Sequence, residues 1–265
     1  MTPRGPVFTS LSRIFLAFFV AAAMASQGQS AAARTLMVGP GQPYARPSDA
    51  AEAARDGDQV LIAAGVYTDC AVWRANNLTI AGTAPNAAVV ISGPTCQGKG
   101  LFVTTGNDIA VRNLTLKGAR DADRNGAGIR GEGDNLTVDG VRFLDNEEGI
   151  LAAGSGPSVI RVENSSFSRN GTCEQACAHA IYVGPADLLR VEHSSFTDTF
   201  EGHHIKSRAR RTEVLNCIIS DTDEGTASQL VDIPNGGDVI IRDNTMQKGP
   251  KAENHLAAIL IGEGG

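Results

Sequence analysis

Residues 202–211, GHHIKSRARR, set His203 and His204 side by side and follow them with Lys206, Arg208, Arg210 and Arg211. The whole chain carries 29 acidic and 23 basic residues, a formal net charge of −6, so this run reverses the sign locally. Imidazoles beside fixed cations can move a proton near neutral pH. They can also neutralise an anionic group on a ligand. With Ile205 in its centre the run reads as a strand, in which alternate side chains share a face about 7 Å apart. His204, Lys206 and Arg208 then face one way. His203 faces the other way with Ile205, as a hydrogen-bonded interior residue, and Arg210 and Arg211 fall at a solvated turn.

The elements that position this run repeat along the chain. One strand type recurs as NNLTIAG, NDIAVRNLTLKG, DNLTVDGVRFLDN, SVIRVENSSFSRN, DLLRVEHSSFTDT, TEVLNCIISDT and DVIIRDNTMQKG. Its aligned positions are Gly82, Asn113, Gly140, Asn164, His193, Asn216 and Asp243, at intervals of 31, 27, 24, 29, 23 and 27 residues. A second type follows the later copies: GAGIRG, EEGILAAG, HAIYVG, GHHIKS, QLVDIPNG and AAILIG. Apolar-x-apolar strands with Gly/Asn turns at a variable period predict a parallel β-solenoid of about seven coils. Leucine-rich repeats would keep a stricter period with fixed leucines. Ahead of the repeats, TLMVGPGQPY reads as a short strand and turn. Ser48 is placed to N-cap a helix through DAAEAARDG that Gly57 ends, with Asp49 and Glu52 in its first turn. Such a unit covers the open end of a solenoid.

The GDQVLIAAGVY stretch after a cap helix, together with the repeats, resembles the right-handed parallel β-helix, or pectin-lyase-like, superfamily. More narrowly, HAIYVG, GHHIKSRA, DIPNGG and NTMQKGP resemble an exported bacterial β-helix repeat family without a settled activity. The resemblance implies an all-β fold, a single-stranded right-handed parallel β-helix with a short N-terminal cap helix. The expected divisions are a signal peptide at 1–25, the cap and first strand at 26–60, and the repeats at 61–265. The scaffold hosts lyases, hydrolases, epimerases, adhesins and binders, so the residues must decide the function.

Stacked coils turn the repeats into a map, with equivalent positions about 4.8 Å apart. Ile129, Ile150, Ile181, Ile205 and Val231 are expected to point inward, and Arg130, Leu151, Tyr182, Lys206 and Asp232 outward. Ala180, His204 and Leu230, one position before the inward set, are expected outward as well. The chemistry this surface fits is that of an acidic polysaccharide. A uronate lyase must neutralise the sugar carboxylate, remove the C5 proton and protonate the leaving oxygen. Lys206 is the first candidate for base or carboxylate clamp, His204 the second for base, and Tyr182 the candidate acid. Arg208, Asp232 and Arg130 are the expected substrate-binding set, with Asp232 holding Lys206 charged. The same residues serve an epimerase, or a non-catalytic glycan-binding or envelope structural protein. A glycoside hydrolase needs two carboxyls facing one bond. Hydrolases of this fold carry paired aspartates beside Gly-His-Gly and Arg-Ile-Lys segments, which GHHIKSRA matches only superficially.

No cofactor is required by these residues. Asp198, Glu201, Asp221, Asp223 and Glu224 cluster near turns and could hold calcium. Cys173, Cys177 and His179 have poor spacing for zinc. The acidic body argues against nucleic acid. Arg4 and Arg13, the apolar residues 14–23 (IFLAFFVAAA) and the Ala23-Met24-Ala25 site predict an export signal, too short to span a membrane. A periplasmic or secreted location follows, and the expected disulfides are Cys70–Cys96 and Cys173–Cys177, with Cys217 a buried thiol. The NLT and NSS sequons are expected to be turn asparagines of the repeat. The final AAILIGEGG reads as an uncapped coil, expected either to be the edge of a fragment or to be covered by a partner or by self-association.

Overall fold

Each coil lays down three short strands, and the coils stack in register to give three parallel sheets. The computed structural model describes residues 1–3, 5, 32–84, 88–152, 157–174 and 176–262. Apart from residues 1–3 and 5, the predicted export signal lies outside them. The chain divides into two units, Met1–Ala32 and Ala33–Gly265, and the solenoid is the second. The first sheet has nine strands, from Thr35–Val38 to Asp238–Arg242. The second has eight, from Gly65–Thr68 to Thr245–Gln247, and the third eight, from Ala71–Trp73 to Ile259–Ile261. The result is about eight turns, one more than the repeats alone reveal, because the first coil lacks the later sequence pattern.

Local sequence explains each corner. First-sheet strands such as Val159–Glu163 alternate, with Ile160 and Val162 buried and Arg161 exposed. The chain then turns through one left-handed residue: Asn113, Gly140, Asn164, His193, Asn216 and Asp243 have φ between 49° and 66°. Asn, Asp and Gly tolerate this conformation best. The following residue points inward and the next outward, so the fold itself generates Asn-Leu-Thr and Asn-Ser-Ser. Three-residue second-sheet strands bury one side chain each. Phe143, Phe167 and Phe196 stack face to face at 4.5 and 4.6 Å. Such aromatic pairs contribute about 0.5–1.5 kcal/mol beyond burial.

The cap helix is present but displaced from its expected bounds. It runs over Pro47–Ala53 with Arg46 as N-cap and Pro47 in its first turn. Ser48 lies inside the helix, where its amide donates to Asp69 at 2.8 Å. Asp49 instead accepts the Arg46 amide at 3.1 Å. Pro47, with its fixed φ and missing N–H, suits a helix start and sets the boundary earlier. The chain is already extended at Ala54, ahead of Gly57. Both predicted disulfides form, Cys70–Cys96 and Cys173–Cys177, and Cys217 is a buried thiol.

Candidate functional site on the third sheet

The expected outward ladder exists. Arg130 pairs in register with Leu151, Leu151 with Tyr182, Tyr182 with Lys206, and Lys206 with Asp232. The Lys206 ammonium lies 3.6 Å from Asp232 and 5.6 Å from the centre of the Tyr182 ring. The Arg208 guanidinium donates to the Tyr182 hydroxyl at 3.2 Å and to the Asn235 side chain at 2.5 Å. Arg130, farther along the ladder, sits 3.9 Å from Glu132. Five of the six candidate residues thus share one face, with Tyr182, Lys206, Arg208 and Asp232 held by contacts between adjacent coils.

His204 does not join them. It is fully buried, as are Ala180 and Leu230 at the same register. The reason is a bend at the start of each third-sheet strand. Residues 203 and 205 pair with 229 and 231, while 204 and 230 fall out of the ladder. Two consecutive side chains therefore point inward. Earlier coils show the same bend, where a Cβ on Gly149 would come within 2.9 Å of the Phe167 ring. His204 is locked inside, its Nδ1 2.7 Å from the Thr199 hydroxyl and its Nε2 2.9 Å from Asp221. Thr199, His204 and Asp221 have the residue types of a nucleophilic triad, but none is more than 1% exposed. They bond one another in the core, although Asp221 Oδ2 is left without a partner among the described residues.

The bend also corrects His203, which faces outward. Its Nε2 lies 3.3 Å from Asp232. With it come two residues that strict alternation leaves unnoticed. Glu148, His179, His203 and Gln229 occupy one register in four successive coils. In each step the amide of the later residue donates to the side chain of the earlier one. His179 N–H bonds the Glu148 carboxyl. His203 N–H donates to His179 Nδ1 at 2.9 Å, and Gln229 N–H to His203 Nδ1 at 3.2 Å. The two imidazoles stack at 4.8 Å. This register is visible in the sequence as polar residues in EEGI, AHAI, GHHI and SQLV.

A backbone amide can only donate, so both Nδ1 atoms are unprotonated and both rings are neutral Nε2–H tautomers. Burial agrees. It holds His179 well below the usual histidine range and lowers His203 to about 3, with the Lys206 charge acting in the same direction. The His203–Asp232 contact accordingly sets a neutral imidazole beside a carboxyl group and is no ion pair. Burial pushes Glu148 well above the usual carboxylate range, against the opposing pull of the His179 amide, Arg130 and Lys206. Its Oε2 has no partner among the described residues. Burial also raises Asp232, while Lys206 and Arg208 oppose it.

Among the described residues no group of three or more His, Cys, Asp or Glu is arranged to hold a metal ion. Four of the five acidic residues considered for calcium have other partners: Asp198 bonds Thr222, Glu201 the Cys173 amide, Asp221 His204, and Glu224 Lys251. No described helix is long and apolar enough to cross a membrane.

No protein-family model matches the chain, and no curated protein matches it. Among solved structures it is similar to a pectin methylesterase from Aspergillus niger, with a TM-score of 0.51, 14% identity, and coverage of 86% of this chain and 84% of that one. A pectin methylesterase mutant bound to a hexasaccharide gives a TM-score of 0.43 at 14% identity, over 78% of this chain and 66% of that one. A further hexasaccharide complex gives 0.44 at 13% identity, over 80% and 65%. Identities this low speak to the fold and leave the chemistry to the residues. The fold of this chain is a right-handed parallel β-helix, like that of the pectin methylesterase it resembles.

Proposed function

We propose that the outer face of the third sheet binds an acidic polysaccharide. The observation that carries this is the pairing of Lys206 and Arg208, two cations on alternate outward positions, each fixed by a neighbour on the adjacent coil. Rigid strands hold them about 7 Å apart. Lys206, 3.6 Å from Asp232 on this face, is assigned the role of a carboxylate clamp. The half-buried Tyr182 ring beside them offers a surface for a sugar. Pectate is the first polymer to test, given the fold likeness to a pectin methylesterase.

A second reading, cleavage by β-elimination, rests on Tyr182. Its oxygen accepts from Arg208 and sits on the ladder beside Lys206. That oxygen would take the C5 proton. The released electron pair would form the C4–C5 double bond as the C4–O bond breaks, and the leaving oxygen would take up a proton. His204 is sealed in the core and His203 already carries its outward proton, so neither serves as the base. The test uses pectate, alginate and glucuronan, with binding by affinity electrophoresis and turnover by ultraviolet absorbance of the unsaturated product. Lys206→Ala is expected to weaken binding about tenfold, and Tyr182→Phe to keep binding but abolish absorbance change. Parent-like binding by the Lys206→Ala/Arg208→Ala double variant would refute the binding face. A flat trace from the parent on all three polymers would refute elimination alone.

A further inference from the structure

A second groove runs along the corner where the first and second sheets meet. It has a volume of about 690 Å³ and crosses six second-sheet strands, from Ala88 to Ile218. Five steps of about 4.8 Å make it about 24 Å long. Its rim is the left-handed corner column, with Asn164, His193 and Asn216 exposed; its floor includes Ser166 and Ser195. No aspartate or glutamate lines it, although the protein is acidic overall. At its centre stands Arg142, exposed and without an ion pair among the described residues. Most arginines on this molecule are neutralised: Arg112 by Asp139, Arg169 by Asp145, Arg190 by Glu192, Arg211 by Glu213.

We infer that this groove is a second binding site, for an anionic glycan lying along the solenoid axis with one sugar per coil and an acidic group on Arg142. Three features point to that ligand class. The polar part of the lining is mainly amide and hydroxyl, which matches the edges of sugar rings, and Val90 and Ile218 near its two ends offer apolar surface to their faces. The coil spacing is close to the length of one pyranose in an extended chain, whereas an extended peptide advances about 3.3 Å per residue and drifts out of step. A central arginine in an acid-free groove selects negative charge. The site lies on a different sheet from Lys206 and does not depend on the function proposed for that face.

The test is calorimetric titration at low ionic strength with hexagalacturonate and with its methyl ester, which has the same backbone without charge. The Lys206→Ala/Arg208→Ala double variant isolates the groove. It should still bind one hexagalacturonate. Ser195→Trp on that background fills the groove and should abolish binding. Arg142→Ala should weaken the acid form about tenfold and leave the ester unchanged; Arg142→Lys should keep most of the affinity. Both positions point outward, and circular dichroism checks that the solenoid is intact. The inference is overturned if the double variant no longer binds, if Ser195→Trp and Arg142→Ala leave its affinity unchanged, or if the ester binds as tightly as the acid. Parent stoichiometry of one, unchanged in the double variant, would support the groove and count against the third-sheet face.

Discussion

Replacing His203 by glutamine should remove one specific acid sensitivity from the fold. The next coil already carries Gln229 at this register, so the column accepts the side chain. A glutamine carbonyl can take the Gln229 amide and its NH₂ can reach Asp232, preserving both contacts without a titrating ring. In the parent, His203 falls from an ordinary 6.5 to about 3 on folding. Between those values the unfolded chain binds a proton that the native state excludes. The stability contribution is therefore complete above about pH 6.5 and is lost as pH falls toward 3. At about 1.4 kcal/mol per pH unit, the 1.5 units down to pH 5 cost about 2 kcal/mol. His179, also held low by burial, adds a loss of the same sign. Glu148 and Asp232 act oppositely, since raised carboxyls stabilise the protein at low pH and lose that contribution as pH rises. These groups remain in both proteins and largely cancel in the comparison. Urea denaturation at pH 7.5, 6 and 5, with disulfides intact, measures the difference. His203→Gln should gain about 2 kcal/mol relative to the parent between pH 7.5 and 5. A difference that stays constant across this range would refute the tautomer argument.

Two further outcomes follow from the scaffold. The Cys70–Cys96 disulfide closes a 26-residue separation, so Cys70→Ser/Cys96→Ser should cost about 3.5 kcal/mol in denaturant unfolding on the chain-entropy relation; an unchanged midpoint would show that the first coils do not depend on it. A methyl group on Gly202 would collide with the Ala178 carbonyl and approach His179 Nδ1 to 2.8 Å. Gly202→Ala should therefore cost about 3 kcal/mol and weaken pectate binding through displaced histidines, and a parent-like melting curve would contradict the stacked column.

The solenoid was legible because every coil repeats the same local demands: one inward residue per short strand, one left-handed corner, one polar residue outside. The outward positions of Tyr182, Lys206 and Asp232 followed from that period, since the middle of each third-sheet strand is regular. Strict alternation misplaces both histidines because the strand bends at residue 204. Compensation across the core is what hides the bend. A Cβ on Gly128 or Gly149 would come within 2.8 or 2.9 Å of the Phe143 or Phe167 ring, so where the second sheet supplies a large ring the third sheet has no side chain. His204 meets Phe196 only edge-on, with ring centres 6.2 Å apart. The large-small pairing was written in the sequence, but between residues about 15–18 positions apart, beyond the reach of any strand pattern. Asp221 shows the same limit: its place at a turn suggested a solvent-facing calcium ligand, yet the carboxylate turns inward. An unpaired histidine in that core would be costly. Once His204 is placed inside, a buried acceptor must be sought for it, and Asp221, 17 residues on, supplies it.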